Sequence, residues 1–342
     1  MIPPLPFFPE PLLHLVHFCD TVTYVTKEVE TMQDKADKLR RLALVARRYY
    51  LEDKKQSDIA AELGVSRPLI SRMLSEAREL GVVEITIHAP GETADALLRR
   101  LAETTSLHGG ALVSDGGDDG QTNLALCRET LALLERLEAR QVGIGWGHFI
   151  GQLVSLVEAE PPKHSGVKHL FPLLGNAGFP IRNYHSNENV RILASALGAE
   201  PHFLYLPALA ESCEEKEVLC ATELYRQMEQ QWRQMDTALV NIGNYPSTPD
   251  FASVARYGPL LQRQKACGRL LAYFFNESGQ IIRSDHDFAI QLPVEHLAQC
   301  RNVVGLCSAN TSVRALRGAL RTGLFTHLVA REQLVAELLG QQ

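Results

Sequence analysis

Apolar positions along this chain change their rhythm more than once. From Ala36 to Leu51, residues Leu39, Leu42, Val45, Ala46 and Tyr49 recur at three-and-four spacing, which predicts an amphipathic helix. Two short helices are predicted next, Gln56 to Leu63 and Arg67 to Gly81, parted by Gly64-Val65-Ser66. Gly64 tolerates the left-handed conformation that ends a helix, Ser66 can cap the following one with its hydroxyl, and Pro68 suits a first turn. After Gly81 the period falls to two: Val83, Ile85 and Ile87 alternate with polar residues as in a short strand, and HAPGET reads as a linker.

Beyond Glu92, helical stretches alternate with short apolar runs: GALVSD, QVGIGWG, VKHLFPLLG, HFLYLPAL, TALVNIG, NVVGLCSA and FTHLVA. This alternation predicts an α/β domain with a mostly parallel sheet covered by helices. At 342 residues the chain suits a small module joined to a large one. The expected division is an N-terminal extension over 1–35, a helix-turn-helix domain over 36–90, and a larger domain over 91–342. Residues 1–35 follow neither pattern and read as a loose extension or an overlong start, with no function placed there.

Charge sharpens the division. The net charge is −6, yet Lys38 to Gly81 holds ten Lys and Arg against six acids, so this block carries +4 and the remainder −10. A basic block on an acidic body fits a DNA-binding module attached to a sensor, because phosphate neutralisation needs clustered cations; a solvated charged helix pair is the plainer alternative. Seven cysteines without a CxxC pair suggest neither disulfides nor zinc, and no cofactor or metal is expected. The apolar opening lacks a basic n-region and no long apolar run follows, so a cytoplasmic protein away from membranes is expected.

In QSDIAAELGVSRPLISRMLSEARELG, Ala60, Gly64, Val65 and Ile70 supply the small crossing residue, the turn and the apolar anchors of a helix-turn-helix. Candidate DNA contacts are Lys55, Gln56, Ser66, Arg67, Pro68, Ser71 and Arg72, on or beside the outer face of the second helix. A helical hairpin with incidental arginines is the alternative.

The segment YYLEDKKQSDIAAELGVSRPLISRMLSEARELGVVEITIH resembles the DNA-binding end of SorC-type regulators, carried by Tyr49 and Tyr50, Gln56 with Ile59 and Ala60, Ser66-Arg67-Pro68 and Gly81-Val82-Val83. The likeness continues through GIGWG, PLLGN, LPAL, DTALVNIG, YFFNESG and ALRTGLFTHLV, covering about residues 38 to 340. It implies a winged-helix-like N-terminal domain and a doubly wound domain similar to sugar-phosphate isomerases and deaminases, whose loops hold a carbohydrate-like effector. Carried over by position, the candidate effector residues are Gly145, Gly147, His148, Asn176, Asn187, Asn189, Asp236, Asn276 and Ser308; Asn187 or Asn189 could equally cap a helix.

Two positions depart from the family pattern. Phe149 stands where relatives place a threonine, and Ser312 where they place a lysine. Both changes remove affinity for an anion, so an unphosphorylated effector, or sensing that has decayed, is expected. The function expected is a dimeric or tetrameric regulator of operator DNA under a small effector. An isomerase-like enzyme with an accessory DNA-binding module and a ligand-blind DNA-binding protein are the alternatives. Asp285-His286-Asp287 and His185 could serve acid-base chemistry but read as surface turns.

Overall fold

A computed structural model describes residues 38–80, 82–83, 93–178, 182–247 and 256–340. It divides into two compact units, Met1–Ile87 and His88–Gln342.

In the first unit α1 spans 38–50, α2 is Gln56–Leu63 and α3 is Arg67–Glu79. Leu42, Val45 and Ala46 of α1 close over Ile59, Ala60, Ile70, Leu74 and Ala77 to make one core. Each fully buried Leu or Ile contributes about 1.5–3 kcal/mol, so this small unit rests on a handful of side chains. Gly64 ends α2 with φ +66° and ψ +32°, the left-handed geometry that favours glycine. Two expectations are corrected. Val65 is 37% exposed and so does not anchor the core, and Ser66 occupies the N-cap of α3 without a side-chain cap bond. Ile85, Ile87, the extension over 1–35 and all of the HAPGET linker but Thr93 lie outside the described residues.

The second unit opens with α4 (Ala94–Thr104), capped by the Thr93 hydroxyl. Its strands are β1 (Gly109–Val113), β2 (Gln141–Ile144), β3 (His169–Pro172), β4 (Glu200–Pro201), β5 (Thr237–Asn241), β6 (Gly243–Asn244), β7 (Ala266–Leu270), β8 (Tyr273–Asn276), β9 (Ile281–Ile282), β10 (Asn302–Leu306) and β11 (His327–Arg331). Seven of them form one sheet in the order β1-β11-β10-β5-β2-β3-β4, with every pairing parallel. Both faces are buried, which is why the strands read as nearly continuous apolar runs. In β5, for example, Ala238 and Val240 face one core layer and Leu239 the other. The layer over one face draws on α4 and on α9 (Glu223–Gln234), which follows the short α8 (Cys213–Cys220), the opposite layer on α5 (Asp119–Arg136), α6 (His148–Ala159) and α7 (Ser186–Leu197).

Strands β6 to β9 form a small antiparallel sheet that the alternating pattern did not predict. HFLYLPAL is also corrected. The observed strand is only Glu200–Pro201, after which the chain runs irregularly, tied by single bridges from Asn176 to Pro207 and from Leu209 to Ala289. Pro201 and Pro207 lack the N–H groups a ladder needs, while Leu204, Leu206 and Ala208 are buried as loop residues. Topologically, β2 leads to β3 on one side of the sheet while β5 leads towards β10 on the other. The order of strand addition reverses between β2 and β5, and the crevice outside their C-terminal ends is where such sheets bind ligands.

Candidate functional site

On α3, Arg67, Pro68, Ser71 and Arg72 are exposed, as are Ser66 just before it and Lys55 before α2; Gln56 is half-buried at the first position of α2. Positions 67 and 71, and 68 and 72, are one helical turn apart and therefore share a face. Several other cations of this unit are held by acids: Lys38 by Glu76 at 2.5 Å, Lys54 by Glu62 at 2.6 Å and Arg48 by Glu62 at 2.8 Å. The hydrogen bond from Lys54 holds the Glu62 carboxyl below the usual carboxylate range. Arg67 and Arg72 form no ion pair or hydrogen bond among the described residues, so their guanidinium donors face solvent.

At the crevice of the second unit, Gly145-Trp146-Gly147 turn the chain from β2 into α6. The Gly145 N–H donates to the Leu239 carbonyl at 3.0 Å, continuing the β2–β5 ladder. Gly147 is the N-cap of α6 at φ +114° and ψ −178°, and among the described residues no side chain caps the first-turn N–H groups. A Cβ built on Gly147 would find only Asn241 Nδ2, at 3.7 Å, so glycine is required for its backbone angle rather than for space. Such a helix start, with its N–H groups and dipole, favours an anion or an electron-rich oxygen. His148 follows and is exposed.

Two neighbouring strand ends complete the crevice. β5 ends on Asn241, whose Oδ1 is enclosed and has no hydrogen-bond partner among the described residues. Two residues on, Arg269 rests across Gly243, with Cγ and Nε at 3.1 and 3.2 Å from the place a Cβ would take. After β10, the Ser308 N–H donates to Thr311 Oγ1 at 2.9 Å and its hydroxyl to Asn310 Oδ1 at 2.7 Å. Asn244 ties the two ends together, accepting from the Ser312 N–H at 2.9 Å and donating to the Asn310 carbonyl at 2.8 Å. After the short α10 (Leu260–Arg263) and α11 (Val294–Leu297), Ser312 caps α12 (Val313–Arg321), its hydroxyl accepting from the Ala315 N–H at 3.2 Å.

Several expected lining residues hold the scaffold instead. Asn176 Oδ1 accepts from the Asn187 N–H at 3.0 Å, while the Asn187 side chain is engaged at both ends by the Leu204 backbone, at 2.9 and 3.1 Å. Asn189 is fully buried and donates to the Asn183 carbonyl at 3.1 Å, which also receives the Gly147 N–H at 3.0 Å. These three asparagines fasten the segment that presses on the β2–α6 turn, and neither Asn187 nor Asn189 is the helix cap. Asn276 closes the β8–β9 turn, its Oδ1 accepting from Gln280 N–H and Ser278 Oγ. Asp236 is the clearest correction. It precedes β5, at the opposite edge of the parallel sheet from the crevice, and accepts from the Arg140 and Gln141 N–H groups and the Thr237 hydroxyl. Phe149 is 1% exposed in the core, so its side chain does not face the crevice. Asp285 and His286 do form a turn, but Asp287 pairs with the buried guanidinium of Arg256.

Sequence reasoning missed Asn241, although TALVNIG ends one strand on it, and Arg269, which no local signal placed beside Gly243. Asp115 and Glu332, after β1 and β11, are tied to Arg331 at 3.0 Å and Ser114 at 3.1 Å. Burial pushes the Cys307 thiol, just after β10, up to about 12, which disfavours a thiolate.

A helix-turn-helix with an open cationic face, in one chain with a doubly wound domain that presents a polar crevice, defines a ligand-sensing regulator of transcription. Residues 92–340 match the Sugar-bind family model, a sugar-binding domain. The sorbitol operon regulator of Klebsiella pneumoniae is 26% identical over 318 residues, covering 90% of this chain and 99% of that protein. The deoxyribonucleoside regulator of Bacillus subtilis is 27% identical over 86% of this chain and 95% of its own length. The crystal structure of the full-length Klebsiella regulator SorC superposes with a TM-score of 0.65 at 26% identity, covering 88% of this chain and 98% of the other. The chain belongs to the SorC family of sugar-binding transcriptional regulators.

Proposed function

We propose that this regulator docks α3 in the major groove of its operator and changes its hold on DNA when a neutral sugar or polyol enters the crevice between the ends of β2, β5 and β10. The observation that carries the effector reading is the pairing of an uncapped α6 start at Gly147 with the enclosed, unpartnered Oδ1 of Asn241. An unsatisfied buried acceptor beside free N–H donors suits hydroxyl groups, which both donate and accept. Gly145, Gly147, His148 and Ser308 line or flank this crevice. Relatives named for sorbitol and erythritol regulation are consistent with a polyol.

The protein acts by binding rather than turnover. Acid-base catalysis needs a carboxylate or imidazole positioned at the reacting atoms; His148 flanks the crevice, but the carboxylates at the neighbouring strand ends are occupied by Arg331 and Ser114. Among the described residues no helix is long and apolar enough to cross a membrane, in keeping with action on cytoplasmic DNA. A homodimer or homotetramer would match two operator half-sites by its own symmetry.

A fluorescence-anisotropy titration of the protein against its own promoter region, repeated with neutral sugars, polyols and sugar phosphates, tests the proposal. Release or tightening by a neutral compound alone supports it. A response only to sugar phosphates overturns the neutral-effector reading, and no response with unchanged thermal stability overturns effector control.

A further inference from the structure

A different cluster lies on the β3–β4 edge, at the end of the sheet opposite the crevice. In the parallel pairing of these strands His169 stands directly across from Glu200, and His202 lies two residues beyond Glu200. Alternation along a strand puts Glu200 and His202 on one face, so the register converges all three side chains. Backbone bonds fix this register, from the Glu200 N–H to the Lys168 carbonyl and from the His202 N–H to the Leu170 carbonyl, both 2.8 Å.

We propose that His169, Glu200 and His202 form a binding site for one divalent first-row transition ion, zinc foremost. His169 Nδ1 lies 3.1 Å from His202 Nε2 and 3.4 Å from Glu200 Oε2, and one ligand atom from each residue falls within 4.8 Å of the others. Ligands bound at about 2.0–2.1 Å around a tetrahedral ion stand about 3.4 Å apart, so only small rotations are needed. Two imidazoles and a carboxylate with a fourth position open to water are a common zinc ligand set, whereas calcium and magnesium call for more oxygen ligands.

The surroundings already orient one ligand. Gln231, on α9, has its side-chain amide 2.9 Å from His202 Nδ1. With the amide turned so that Oε1 accepts the Nδ1 proton, the Nε2 lone pair is left for the ion. Phe171, two residues after His169, stacks on the His202 ring at 4.7 Å and 22° and fixes its plane. The Glu200 side chain is 65% exposed, so an ion can enter from solvent. A bound ion would clasp the two-residue edge strand β4 to β3. This proposal is independent of the effector reading.

The test uses the full-length protein, stripped with a chelator and titrated calorimetrically with zinc chloride. His202→Ala and Glu200→Gln are compared with the parent, and circular dichroism checks each fold. One equivalent of zinc, at least tenfold weaker binding in both variants, about 10- to 100-fold weakening in Gln231→Leu, and no competition by magnesium or calcium are expected. Cobalt substitution separates this site from the seven cysteines: a tetrahedral visible spectrum without thiolate charge-transfer bands is expected. Equal zinc affinity in parent and variants, or a thiolate-type cobalt spectrum, overturns the assignment. If His202→Ala fails to fold, the exposed Glu200→Gln variant still decides.

Discussion

Arg67 and Arg72 offer the most direct test of how this protein grips DNA. Both are exposed on α3 and neither is held by an ion pair or hydrogen bond among the described residues, so replacing either with alanine removes no such bond from the folded state. The whole effect should fall on DNA. A side chain that reads a base edge is worth about 1–3 kcal/mol, or about 5- to 150-fold in Kd, with relaxed specificity at that base pair. One that only touches phosphate weakens binding to all sequences and lowers the slope of log K against log salt by about 0.9. Anisotropy titrations of Arg67→Ala and Arg72→Ala, on operator and scrambled duplex at several salt concentrations, separate these outcomes residue by residue. Arg48→Ala is the control. It belongs to α1 rather than α3 and its guanidinium lies 2.8 Å from Glu62, so unaltered affinity is expected of the folded variant. Parental affinity and salt slope in both α3 variants would refute the recognition-helix assignment.

Other consequences are equally open to measurement. Asp236→Ala should lower stability by about 2 kcal/mol in urea denaturation, because two backbone donors and a hydroxyl lose a charged acceptor, while leaving the effector response intact; loss of that response in a folded variant would return Asp236 to the site. Gly175→Ala should cost about 1–3 kcal/mol, since its Cβ would fall 2.3 Å from the Pro207 carbonyl oxygen, and thermal melting reads the loss. Native-state alkylation should modify half-exposed Cys213 before Cys127 and Cys307, whose burial pushes both thiols up to about 12; mass spectrometry showing equal labelling would contradict this. Ser312→Lys places a cation at the crevice rim, and should shift preference several-fold towards sugar phosphates in the same anisotropy assay at a cost of about 1 kcal/mol for the lost cap.

Much of the fold was legible because burial on both faces of a parallel sheet leaves a plain mark. Six of the seven apolar runs beyond Glu92 became strands of the main sheet, β1, β2, β3, β5, β10 and β11. The seventh failed where Pro201 and Pro207 interrupt the ladder, a signal present in the sequence but outweighed by the apolar run around it. The antiparallel β6–β9 sheet was illegible for another reason: two of its strands are only two residues long, too short for any periodicity. In the first unit Gly64 and the buried positions of α2 and α3 were readable, because a turn glycine and period 3.6 are local features. That Ser66 leaves its hydroxyl uncommitted depends on atomic geometry and was not.

The candidate effector site divides along the same physical line. Position in a loop says that a residue is near a strand end, but not whether its side chain is already engaged. Asn176, Asn187 and Asn189 lie close to the crevice and yet bind backbone groups of the segments around it. Asn189 fixes the Asn183 carbonyl against the Gly147 N–H, and thereby holds the α6 start in one geometry. A preorganised turn is useful to any effector, whatever its chemistry, whereas selectivity must come from side chains free to meet it. Asn241, whose acceptor lies enclosed beside Gly147, and the exposed His148 are the side chains that meet this condition among the described residues. Ser312 brings no cation to the rim, and its hydroxyl is committed to capping α12. Resemblance thus carries the scaffold from one member of this family to another more securely than it carries the ligand contacts.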